Sequence, residues 1–156
     1  DTARLKRSLG DALNVDPRSI QGYMLGEHGD SQFAAWSTVR VLGQKADELV
    51  TNYHLDLDAV ANDARVGGFT VFSGKKYTNF AIAHAAVSLA QLVLSDAHNE
   101  AIVSHYDARF AGYISTPAII GRSGVVANFE LTLTADEQRA LQQSANAIAE
   151  KTAAYL

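Results

Sequence analysis

The sequence predicts an α+β fold in which long helices lie on small antiparallel sheets. Three patterns carry that expectation. Leu5, Leu9 and Leu13 fall four apart in DTARLKRSLGDALN, one apolar face of a helix. In VVANFELTL, Val125, Ala127, Phe129, Leu131 and Leu133 alternate with Val126, Asn128, Glu130 and Thr132, as in a half-solvated antiparallel strand. NFAIAHAAVSLAQLVLSD is apolar nearly all round and reads as a buried helix. His84, Ser88 and Gln91 interrupt it too often for a membrane span.

The remaining elements follow in order. Asp16-Pro17 ends the first helix, because the residue before a proline is pushed out of the helical region. SIQGYMLG and QFAAWSTVRV read as two strands flanking a turn at GEHGD, and a helix follows from about Gln44. Two more helices, joined near Gly74–Thr78, span LDLDAVANDARVGGFTVFSGKKYTNFAIAHAAVSLAQLVLSD. AIVSHYDA reads as a strand. Thr134 and Glu137 form a capping box for the last helix, whose inward stripe is Leu141, Ala145, Ile148, Thr152 and Tyr155.

With 156 residues and 47% hydrophobic composition, the chain suits one domain with a sizeable core, residues 1–156. A net charge of −4 with scattered Lys and Arg argues against a nucleic-acid surface, and no segment reads as membrane-bound. The absence of cysteine excludes disulfides, thiolate metal sites and a cysteine nucleophile, and is compatible with a reducing cytoplasm. No G-x-G-x-x-G follows a strand, and SGKKYT lacks the glycine spacing and the Ser or Thr of a phosphate loop. The chain opens at Asp1 in helix-like sequence and is expected to be part of a longer protein.

The chemistry concentrates at His28, which lies between Gly26 and Gly29 where the chain must turn sharply. Glu27, His28 and Asp30 are too crowded on one turn to converge on a metal, and His54, His84, His98 and His105 show no ligand spacing, so no metal is expected. A turn histidine without a task and an acid–base histidine remain. The second role needs a carboxylate to hold the ring and a cation to hold an anionic substrate. Asp1 and Arg4, three apart on one helical face, could supply both or simply form a solvated ion pair.

Along nearly its whole length the chain resembles the C-terminal half of the L-2-hydroxyacid dehydrogenases, the lactate and malate dehydrogenase family. Four segments carry the resemblance in order: DTARLKR, GEHGDSQFAAWS, GKKYTNFAIA and YISTPAIIGRSGV. Within that family DPRSIQGYMLGEHGDSQFAAWSTVRVLGQ and GGFTVFSGKKYT most resemble the L-2-hydroxyisocaproate dehydrogenase branch. The resemblance implies that His28 is the proton donor and acceptor, Asp1 its carboxylate partner, and Arg4 the clamp on the substrate carboxylate. It places Thr78 at the substrate pocket, Ile82 against the nicotinamide, and Phe69 and Phe72 on the helix shaping the substrate side-chain pocket. Phe69 and Phe72 could also be plain core residues.

The implied reaction is hydride transfer between NAD and C2 of a small 2-oxo or 2-hydroxy acid, with 2-oxoisocaproate preferred and Asp1 raising the His28 pKa. NAD would be bound mainly by an N-terminal Rossmann half that this chain lacks, so the chain alone is expected to be inactive. A cytoplasmic homodimer or homotetramer is implied. The alternatives are a lactate or malate dehydrogenase half, or a binding or assembly module that kept the fold without the chemistry.

Overall fold

The computed structural model describes residues 1–153 and Tyr155. Helix α1, Thr2–Leu13, closes at Asn14 in the left-handed conformation, and Pro17–Ser19 forms one 3₁₀ turn. Strands β1, Ile20–Leu25, and β2, Phe33–Val41, pair antiparallel, with a bulge between Gln21 and Tyr23, and the two-residue β3, Gln44–Lys45, adds to the far edge of β2. Helices α2, Ala46–Tyr53, α3, Leu57–Lys75, and α4, Phe80–Leu94, follow. A second antiparallel sheet holds β4, Asn99–Asp107, β5, Gly112–Gly121, and β6, Gly124–Asn128, before the closing helix α5, Ala135–Thr152.

The first sheet is covered on both faces. Ala34 and Val39 of β2 join Leu5 and Leu9 of α1, Leu49 of α2, and Val60 and Ala64 of α3 in one core. Ala35 points the other way, with Leu25, into a second core closed by Ile114 of β5 and Leu141 and Ala145 of α5. Alternation along β2, shifted in phase between Ala35 and Arg40 where the pairing with β1 is irregular, thus serves two layers at once. The sheets meet where the Gly26 N–H donates to the Ser115 carbonyl at 3.3 Å, beside the predicted site.

The capping box of α5 forms as expected and does a second job. The Glu137 carboxylate accepts from the Thr134 N–H at 2.8 Å and from the Ser37 N–H at 2.9 Å, fastening the start of α5 to β2. Burial of Glu137 pushes its pKa up, but the hydrogen bonds from Ser37 and Thr134 outweigh it and hold the group below the usual carboxylate value.

Several sequence expectations need correction. Helix α4 is not buried: none of its residues is, because within this chain it packs chiefly on β5 and its apolar girth exceeds that contact. The run VVANFELTL stays a strand only to Asn128, and Phe129 is exposed where the chain leaves the sheet edge. Leu131 and Leu133 then pack against the second core without pairing in a sheet. The central strand β5 was not anticipated, since its Ser115, Thr116 and Pro117 blur the alternation. On α5 the inward stripe ends at Ile148, with Thr152 and Tyr155 exposed, and α2 starts at Ala46, after the short β3.

Candidate active site

Asp1 sits at the N-cap of α1 but does not cap it. Its carboxylate turns to two other groups: Oδ1 accepts from Arg4 Nη1 at 3.0 Å, and Oδ2 lies 2.5 Å from His28 Nδ1. One carboxylate, 16% exposed, therefore joins the histidine and the arginine that the sequence singled out. Thr2 fixes the start of α1 to β1, accepting from the Met24 N–H at 3.0 Å and donating to the Met24 carbonyl at 3.3 Å. That bridge brings residue 1 to the loop carrying His28.

The two glycines around His28 have different reasons. Gly26 has φ +92°, and a Cβ there would come within 2.5 Å of Ser144 Oγ. Gly29 needs no unusual backbone angle, contrary to the sequence reading. A Cβ on Gly29 would instead lie 2.9 Å from the Glu27 carboxylate, which folds beneath it.

Arg4 crosses α3 at a pair of glycines. A Cβ on Gly67 would meet Arg4 Cδ at 3.2 Å, and one on Gly68 would meet Nη2 at 3.1 Å. The sequence reading took VGGF only as part of a pocket helix. Two adjacent glycines inside a helix are unfavourable by propensity alone, and that was the available signal of a close approach. Among the described hydrogen bonds only Nη1 of Arg4 is engaged.

A cleft of about 590 Å³ runs between these elements. Arg4 and His28 line it with Phe69, Phe72 and Thr78, so five of the seven predicted site residues share one space. Asp1 stands behind His28, outside the cleft lining. Phe69 is 72% exposed, which removes the plain-core reading for it, and Phe72 is exposed too. Ile82 does not line the cleft: it lies uncovered in the first turn of α4, beyond Thr78. Gln32, Arg65 and Lys151 also line the space and were missed, being unremarkable polar residues in sequence.

His28 itself is 76% exposed at its side chain. Its pKa is lowered, first by desolvation of the ring and then by the positive charges of the Asp1 amino group and Arg4. This corrects the expectation that Asp1 would raise it: desolvation of the ring and neighbouring positive charge set the direction. Among the described residues no three His, Asp or Glu side chains converge as a metal-holding group, and no helix is long and apolar enough to cross a membrane.

Fold and site together define an α+β domain in which one carboxylate joins a histidine and an arginine at the edge of a cleft. The chain belongs to the lactate/malate dehydrogenase family: the model of that family's alpha/beta C-terminal domain matches residues 1–154. It is 38% identical to an L-lactate dehydrogenase of Treponema denticola, over 96% of this chain and 51% of that protein. The minor L-lactate dehydrogenase of Enterococcus mundtii superposes with a TM-score of 0.89 at 29% identity, covering 95% of this chain and 50% of that one. The lactate dehydrogenase of Eimeria maxima, solved with NADH and oxamate, shares the fold at 0.90 and 24% identity, over 98% and 49%. The chain thus spans about half the length of the curated relatives it matches.

Proposed function

We propose that this chain is the catalytic and substrate-binding half of an NAD-dependent L-2-hydroxyacid dehydrogenase, whose Rossmann half lies outside it. The observation that carries the reading is the shared carboxylate of Asp1, which ties His28 and Arg4 at the edge of one cleft. The free edge of the Arg4 guanidinium suits a substrate carboxylate, because its planar fork can donate two parallel hydrogen bonds. His28 Nε2 then gives a proton to the 2-oxo oxygen during reduction, or takes the hydroxyl proton during oxidation. Asp1 holds Nδ1 and steadies the imidazolium in the first case.

The residues present fit a share of the NAD site. Ile82 and Phe80, uncovered beside Thr78, offer an apolar face for a flat ring, while no glycine-rich turn here would cradle the phosphates. When bound, NADH supplies the hydride and NAD accepts it. Phe69 and Phe72 give the cleft apolar walls, which favours a bulky side chain such as that of 2-oxoisocaproate. The names of the relatives favour pyruvate and lactate as the second reading.

The test is an NADH-oxidation assay of the full-length enzyme with 2-oxoisocaproate, pyruvate and oxaloacetate. Turnover favouring 2-oxoisocaproate is expected, preference for pyruvate establishes the lactate reading, and no turnover with any of them overturns the dehydrogenase assignment. The 156-residue chain alone is expected to be inactive.

A further inference from the structure

His28 has one side-chain hydrogen bond, to Asp1, and a largely exposed ring. Its orientation therefore depends on how firmly its own loop is held. That loop is fastened to α5 on both sides of the histidine. The Glu27 N–H donates to Ser144 Oγ at 2.6 Å, and Ser31 Oγ lies 3.0 Å from the same oxygen. Ser144 is fully buried, a neutral peg. Lys151, two helical turns further along α5, pairs with the Glu27 carboxylate.

The Glu27 pair is not an ordinary surface contact. The carboxylate is 14% exposed, is tucked under Gly29, and accepts from Ser31 Oγ at 2.5 Å. Its pKa is lowered, by Lys151 first and then by Ser31. Lys151 also lines the substrate cleft, so the tie lies at the edge of the reacting space.

We propose that Lys151 is a positioning residue: by holding the Glu27 carboxylate it fixes the loop that aims His28 at the substrate and at Asp1. The proposal rests on the acid–base role given to His28 above. Lys151 has an exposed side chain, and exposed ion pairs add little to folding, so its loss should move the histidine more than the stability.

Charge alone would also affect His28, so the test separates charge from position. The charged or titratable groups around the ring are Asp1 at the N-cap of α1, Arg4 from α1, Arg65 from α3, Lys151 from α5, and Glu27 and Asp30 of its own loop. Lys6 and Glu100 line the adjoining cleft with His28. In the full-length enzyme, Lys151→Met should lower kcat about tenfold with KM within about twofold, because misplacing a reacting group is costly in rate. NMR of the full-length enzyme with labelled histidine should show the His28 midpoint rising, since the Glu27 charge is left uncompensated. Lys151→Arg should restore both. The double variant Glu27→Gln with Lys151→Met removes both charges. Its midpoint should return towards that of the parent while kcat stays low.

An unmoved midpoint and kcat in Lys151→Met overturn the proposal. So does full recovery of kcat in the double variant, which would leave only a charge effect. A parent enzyme inert towards every 2-oxo acid would remove the dehydrogenase reading. The His28 ring resonances and their hydrogen-bond shift to Asp1 would then decide the positioning claim. Displacement in both Lys151→Met and the double variant sustains it, and parent-like shifts in the double variant overturn it.

Discussion

Arg4 Nη2 lies where Gly68 has no side chain: a Cβ there would stand 3.1 Å away. Gly68→Ala should therefore push the guanidinium off α3 while improving the helix itself, where Ala is favoured over Gly by about 1 kcal/mol. The expected signature is a thermal midpoint equal to or above that of the parent, with KM for the 2-oxo acid raised about fivefold, roughly 1 kcal/mol of lost binding. Unchanged KM would mean that Arg4 shifts without consequence.

Replacing Asp1 by Asn removes the carboxylate that serves two partners. The His28 midpoint should fall further, since the nearby cations remain. The kcat of the full-length enzyme should drop about 10²-fold, within the span usual for general acid–base groups. Steady-state kinetics across pH checks both effects together.

Desolvation of the ring is the first cause of the lowered His28 pKa. For stability the sign is fixed. A histidine whose folded pKa is lowered favours the neutral form, so its contribution is full above the unfolded value of about 6.5. It is lost as pH falls from there towards the folded value. Chemical denaturation at a series of pH values would show that slope, and a flat profile would contradict it.

Glu137 is a buried carboxylate that holds two backbone N–H groups. Glu137→Ala orphans the N–H groups of Ser37 and Thr134, and a cost of about 2–3 kcal/mol is expected, as for hydrogen bonds to a charged group. Because its pKa is lowered, its stabilisation is present above the usual carboxylate value and is lost as pH falls through the folded one. Urea titrations of parent and variant should therefore converge in acid.

The bare face of α4 makes a solution prediction. Phe80, Ile82, Val87 and Leu94 are all exposed, so the isolated chain should self-associate at micromolar concentration. Ile82→Lys with Val87→Lys should reduce the sedimentation coefficient towards that of a 16.7 kDa monomer. A parent chain already monomeric would refute this.

What could be read from sequence depended on how local the cause was. The Leu5–Leu9–Leu13 stripe and the Thr134–Glu137 box are set within one or two turns, and both formed as expected for their buried members and cap. His28, Asp1 and Arg4 were found through resemblance to whole motifs, and their shared contact is a matter of three-dimensional packing. Gly29 and Gly68 were harder, because the atoms that forbid a side chain there come from Glu27 and from another helix. The burial of α4 was misjudged for a related reason: hydrophobicity states that a surface wants cover, not that the same chain supplies it.

Thr78, between α3 and α4, forms part of the cleft wall, and α4 leaves Phe80, Ile82, Val87 and Leu94 uncovered. Whatever settles on that helix also steadies one bank of the reaction space.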